Sequence, residues 1–339
     1  MFHKSRIYPL VLILIVFIVW KFRESKKSEW ISLNGQTMGT TYRIKYQAPS
    51  GNNYKDRIDS ILENFNDCLS TYIVNSEISR FNQDSILYFG LPYFYPVLLK
   101  SEEIYNSTGG AFDPTVMPLV NAWGFGPDSG MIPDSSKVDS LKQFVGYDNI
   151  QFNEEKVWKS KSGIELDFSA IAKGYGVDIV AEFLSNQGLI NYFVEIGGEV
   201  VASGLNDKDL LWRLGIEDPS INSGQRSPKA IVELENKGMA TSGNYRNYYL
   251  KDGIKYAHTI NPHTGFPVEH SLLSATVFAK DCMTADAYAT SFMVMGLEEA
   301  KNVLSAVEGL EAFLIFSDEV GDLQTFATEG VDKINVIDN

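Results

Sequence analysis

A chain of 339 residues, 44% hydrophobic and 21% charged, can bury a sizeable core, which excludes disordered, collagen-like and disulfide-stapled classes. Its formal net charge of −14 excludes nucleic acid as a partner, because so negative a surface repels a phosphate backbone and offers no broad basic face to anionic lipid. Two cysteines and four histidines are too few for a Cys and His metal cluster, so any metal is expected to be a hard, oxygen-bound ion.

Ile7 to Trp20 is apolar apart from one tyrosine hydroxyl, with Lys4 and Arg6 before it and Lys21 and Arg23 after it. As a helix it is shorter than the roughly 30 Å hydrocarbon core. It matches a signal-peptide hydrophobic region in length, but neither a small-x-small cleavage site nor a lipid-accepting cysteine follows. Residues 1–27 therefore read as a short cytoplasmic stub and an uncleaved membrane anchor whose flanking cations snorkel to the headgroups. Basic residues on both sides leave the orientation open.

Residues 28–339 read as one globular unit, without a linker or a short internal repeat. In chain order the patterns predict a strand over Thr41 to Tyr46, helices over Tyr54 to Leu69 and Pro96 to Asn106, and strands at Ile150 to Phe152, Val157 to Lys159 and Ile164 to Phe168. A helix over Ile171 to Asn186 follows, then strands at Tyr192 to Ala202, Leu211 to Glu217, Ala230 to Glu235 and Leu272 to Phe278. Ala285 to Val307 is helical and breaks near Gly296, and Ala312 to Ser317 is a strand. Runs of neighbouring strands with irregularly placed helices predict an α+β fold with a mainly antiparallel sheet. Cys68 and Cys282 are expected as small buried thiols.

Neither a G-x-G-x-x-G helix opening nor a phosphate-binding G-x4-G-K-[ST] loop occurs. Asp286 and Thr290 stand four apart among alanines, hence on one helical face, where two oxygens together suit a hard divalent ion. Asp286 alone reads as readily as a helix cap or N-terminal charge. Gly109 to Thr115 is a loop whose glycines let backbone approach a ligand, or an ordinary capped turn. Asp167 to Gly174 runs into a helix start, where free N–H groups favour an anion unless Asp167 or Ser169 caps them. Gly197 and Gly198 predict a bulge, Ala240 to Gly243 a tight polar turn. His258, His263 and His270 lie close together near Pro and Gly, which suggests a functional loop, although hydrogen-bonded structural histidines fit too.

Taken in order, Met38-Gly39-Thr40, Ser76 to Asn82, Gly110 to Thr115, Asp167 to Gly174, Glu195 to Glu199, Thr241 to Gly243, His258 to Gly265 and Thr284 to Thr290 strongly resemble the ApbE family. The resemblance spans roughly Ser32 to Asp322. It implies an α+β flavin transferase domain over 28–339 that uses Mg²⁺ to cleave FAD, attaches FMN to a threonine of a target flavoprotein and releases AMP. By motif position it implies that Met38, Tyr72, Ala111, Phe112, Asp113, Asp167, Lys173 and His258 hold FAD. Asp286, Thr290 and the main-chain carbonyl of Ala170 would hold the metal, with His258 and Asp286 at the catalytic centre.

Two departures stand out: Asn261 replaces an aspartate of many relatives, and a hydrophobic anchor replaces the lipoprotein cysteine. The implied location is the cell inner membrane, single-pass, with the catalytic domain in the periplasm. An FAD pyrophosphatase, which uses water as acceptor, and a non-catalytic flavin-binding protein are the alternatives. Loss of Asp286 or Thr290 would favour the second, and both are present.

Overall fold

Alternation builds the first hairpin: β1 (Glu29–Thr37) pairs with β2 (Thr40–Ala48), whose Tyr42, Ile44, Tyr46 and Ala48 all point into the core. The computed structural model describes residues 29–49, 51–127, 133–219, 228–244, 248–251, 254–331 and 335–336. The expected anchor lies outside them. Among the described residues no helix is long and apolar enough to cross a membrane.

After the hairpin come α1 (Lys55–Leu69), α2 (Glu77–Gln83), β3 (Ile86–Tyr88), α3 (Phe94–Ser107), α4 (Met117–Ala122), α5 (Ser135–Lys142), β4 (Ile150–Phe152) and β5 (Lys156–Lys159). Next are α6 (Ala172–Asn186), β6 (Tyr192–Ile196), β7 (Glu199–Ser203), β8 (Trp212–Glu217), β9 (Pro228–Leu234), β10 (Lys237–Gly243), β11 (Tyr248–Lys251) and β12 (Ile254–Ala257). The chain closes with β13 (Leu272–Ala279), α7 (Cys282–Met295), α8 (Leu297–Ala306), β14 (Glu311–Ser317), β15 (Leu323–Ala327) and β16 (Asn335–Val336).

An eight-stranded sheet in the order β1-β2-β6-β7-β10-β13-β14-β15 forms the frame, and every described pairing is antiparallel. The α+β expectation therefore holds. Helices α6 and α7 pack on one face, α6 over β6 and β7 and α7 over β10 and β13. On the other face Val200, Ala202, Met239, Phe278 and Phe313 meet Trp212, Ile216, Ala230 and Val232 of β8 and β9.

Three sequence expectations change. Ile164 to Phe168 is extended but joins no sheet: Asn82 clamps Leu166 through both its amide donor and its oxygen at 2.8 Å, and the Asp167 N–H donates to the Pro114 carbonyl. Its backbone partners are thus met without a ladder. Tyr192 to Ala202 is two strands rather than one bulged strand, because Gly197 and Gly198 both take positive φ and turn the chain. Ala240 to Gly243 continues β10 past its pairing with β7 and is paired to β13 alone, instead of forming a turn.

Candidate active site

The turns that end β1 and β6 open onto a cavity of about 730 Å³, with Met38 and Gly197 to Glu199 in its wall. Met38 and Gly39 form a two-residue turn with φ of 49° and 70°, a conformation that strains a methionine. That turn aims the thioether at α6. There Gly176 leaves room for it, since a Cβ at that position would collide with the Met38 methyl.

Helix α6 starts beside the cavity with Ile171 at its cap and no side chain capping it. The Gly174 N–H instead donates to Asp286 Oδ2 at 2.9 Å, so the carboxylate reaches over from α7. Such proximity requires Gly174, because any Cβ there would strike the Cys282 carbonyl oxygen. Asp178, one turn further along α6, answers by accepting the N–H groups of Cys282 and Met283 at 2.9 and 2.8 Å. Asp281 caps α7 through Thr284 N–H at 2.7 Å, so Asp286 caps the start of α6 and not that of its own helix. The two helix starts are thus cross-wired by carboxylates.

Lys173 lies between Glu199 Oε1 at 2.6 Å and Asp286 Oδ1 at 3.7 Å. Burial works against its charge, yet these two carboxylates outweigh it and hold the ammonium above the ordinary lysine range. Burial raises Glu199, and its Oε2 is buried with no hydrogen-bond partner. The same desolvation pushes Asp178 up to about 7 against the pull of its two N–H donors. Asp113 is raised to about 6 by burial, although its Oδ1 accepts the N–H and hydroxyl of Thr115 at 2.8 and 2.6 Å. Asp167 is raised by burial while accepting both donors of Ser169.

Among the expected site residues, Met38, Tyr72, Ala111, Phe112, Asp113, Asp167, Ala170, Lys173, His258 and Thr290 all line this cavity. Asp286 is buried directly behind its wall. The Gly109 to Thr115 and Asp167 segments are at once capped turns and cavity wall, so their two readings coexist. The histidines separate. His258 faces the cavity, His270 bonds to the Met293 carbonyl at 2.8 Å, and His263 lies against Gly110. Glu199, Glu217, Phe125 and Met239 also line the wall and were missed as site residues. Only Glu199 had a signal, the glycine pair before it; the other three look like ordinary strand or loop positions.

The ApbE family model matches residues 38–314, most of the chain. The chain belongs to the ApbE family. It is 42% identical over 289 residues to an FAD:protein FMN transferase of Vibrio cholerae serotype O1, covering 83% of this chain and 86% of the relative. To that of Haemophilus influenzae it is 39% identical over 310 residues, covering 87% and 89%. The flavin transferase ApbE structure from Vibrio cholerae superposes with a TM-score of 0.81 at 38% identity, covering 90% of this chain and 98% of that one.

The metal that ApbE resemblance implies can be tested on the donor set. Asp286, Thr290 and the Ala170 carbonyl offer oxygen alone, and Thr290 Oγ1 meets the Ser242 hydroxyl at 3.1 Å. Among the described residues no three His, Cys, Asp or Glu side chains cluster as a closed metal site. A hard ion held by this set would draw the rest of its shell from water or phosphate oxygens. Asn261 uses Oδ1 to accept the N–H groups of His263 and Thr264 at 2.9 and 3.2 Å, a task needing an acceptor and no charge. The departure from aspartate therefore leaves this loop intact.

Proposed function

We propose that this ApbE-family transferase moves FMN from FAD to a threonine hydroxyl of a target flavoprotein, with Mg²⁺ as cofactor and AMP as the leaving group. The observation that carries the reading is that residues from separated motifs, Met38, Asp113, Lys173, His258 and Thr290 among them, border one cavity. FAD brings two phosphates into a chain of net charge −14, so the site must supply cations. Lys173 is one, held in place by Glu199. Asp286, Thr290 and the Ala170 carbonyl would hold Mg²⁺, which supplies charge neutralisation and polarises the scissile phosphoryl group.

His258 accepts the proton as the threonine oxygen attacks the FMN-side phosphorus; the bond from that phosphorus to the bridging oxygen breaks, and AMP leaves with that oxygen. Imidazole is the side chain whose ordinary acidity suits a base at neutral pH. Asp113 and Phe112, in the cavity wall, position the flavin nucleotide. The anchor in residues 1–27 would hold the body beside a membrane-embedded target on the periplasmic side of the cell inner membrane. Chromatography of a reaction with FAD, Mg²⁺ and a target protein tests the reading. AMP that accumulates without matching free FMN supports transfer. Equal free FMN and AMP would overturn it in favour of hydrolysis, and unchanged FAD would overturn turnover altogether.

A further inference from the structure

We infer that the end of the sheet where β1 begins rests on the lipid bilayer, so that the catalytic cavity is held at the far end of the sheet. This rests on the anchor reading of residues 1–27. Eight residues, Lys21 to Ser28, separate the apolar segment from Glu29, a span of at most about 28 Å. The start of β1 is therefore the part of the sheet that the tether keeps closest to the headgroups.

An apolar rim surrounds that start. Trp30 pairs with Gln47, whose N–H donates to the Asn191 carbonyl at 3.0 Å. The Asn191 side chain accepts the Leu205 N–H at 2.8 Å, and the Ser203 hydroxyl donates to the Ile190 carbonyl at 3.0 Å. Asn206 then bonds to the Leu210 carbonyl at 2.8 Å. These bonds bind two loops to the β1 end, and the loops present Ile190, Leu205 and Leu210 at 73%, 37% and 57% exposure. Three large aliphatic side chains in water beside a membrane tether form a contact surface.

The polar groups around the rim fit a headgroup layer. Lys45 lies over the Trp30 ring at 5.4 Å and bridges Asp207 at 2.9 Å. Lys45, Lys208 and Lys237 offset all but one of Glu29, Asp207, Asp209 and Glu235, so this end carries little of the negative charge of the whole chain and suits a zwitterionic surface. Nine residues of β1, about 30 Å of strand, lead from here to the Met38 turn at the cavity. The β6 and β7 hairpin repeats the polarity, with Ile190 and Leu205 at the rim and Gly197 and Gly198 at the cavity.

Spin-label accessibility of the full chain in phosphatidylcholine vesicles tests this. Cys68 and Cys282 are buried, so labels go to introduced thiols. Ile190→Cys, Leu205→Cys and Leu210→Cys are compared with Val320→Cys, an apolar site 83% exposed in the β14 and β15 turn at the cavity end. The expected result is a several-fold higher ratio of oxygen to aqueous nickel-chelate collisions at the three rim sites than at Val320. Water-like ratios at all four sites, with the chain still floating with the vesicles, would overturn the bilayer face while the anchor stands. Rim labels that broaden one another as protein-to-lipid ratio rises would instead assign the face to a second copy and overturn it too. Failure to float would overturn the anchor and this inference together.

Discussion

The Asp286 carboxylate has two separable roles, because Oδ2 caps the Gly174 N–H while Oδ1 faces Lys173. Asp286→Ala removes both, and leaving a buried N–H unmet costs about 1–3 kcal/mol, so this variant is expected to melt earlier and to lose Mg²⁺-dependent turnover while FAD binding falls only partly. Asp286→Asn keeps an acceptor for Gly174 and should restore the melting temperature without restoring turnover. Parallel calorimetry and AMP-release assays read the two losses separately; full activity of either variant at matched Mg²⁺ would remove the metal assignment. Thr290→Val keeps shape and deletes the oxygen, so the Mg²⁺ concentration for half-maximal activity should rise about tenfold. Unchanged metal dependence would mean that Thr290 only packs and bonds to Ser242. These two residues were legible as a pair four apart, whereas the orphaned Glu199 oxygen was not, because its burial is produced by the folded chain and not by its neighbours in sequence.

Helices α6 and α7 set the site by how closely they cross, and two glycines two residues apart make opposite predictions. A methyl at Gly174 meets the Cys282 backbone, which cannot yield, so Gly174→Ala should cost about 1–3 kcal/mol and lower the melting temperature. At Gly176 the obstacle is the tip of Met38, a flexible side chain. Gly176→Ala should therefore leave stability near the parent value while displacing Met38 and weakening FAD binding, measured by flavin fluorescence titration. Asp178, which ties the same helices, gives a pH signature. Its carboxyl rises on folding from an ordinary 3.8 to about 7, so the native state binds the extra proton. That contribution to stability is complete below about pH 4 and is lost as pH rises through 7. Denaturation from pH 5 to 8 should show a shallower decline in Asp178→Asn than in the parent; identical slopes would show that Asp178 does not titrate there. The long helices α1, α3, α6 and α7, with the break at Gly296, were readable from apolar spacing, whereas the short α2, α4 and α5 carry too few turns to show a period. The Ile164 to Phe168 segment misled because a strand and a side-chain-clamped extended run share one pattern, and the clamp, Asn82, stands 84 residues away from Leu166.

Across the whole molecule, the sheet brings to one end motifs that no local pattern connects: the β1 turn, the β6 turn, the close of β10 and the His258 loop. Resemblance to ApbE supplied this grouping in the sequence, since each motif alone reads as a cap or turn. What composition added was the charge problem, a chain of net charge −14 that would accept a dinucleotide with two phosphates. On the proposed reading Lys173 and an oxygen-bound ion would answer it at the cavity, so the chemistry is expected to depend on Mg²⁺ and to weaken as salt competes for the phosphates. The most direct test is the intact mass of a candidate flavoprotein acceptor after incubation with the full chain, FAD and Mg²⁺. An increase equal to FMN less water, lost when the acceptor threonine is replaced by valine, is the predicted result. An acceptor of unchanged mass beside free FMN and AMP would contradict it.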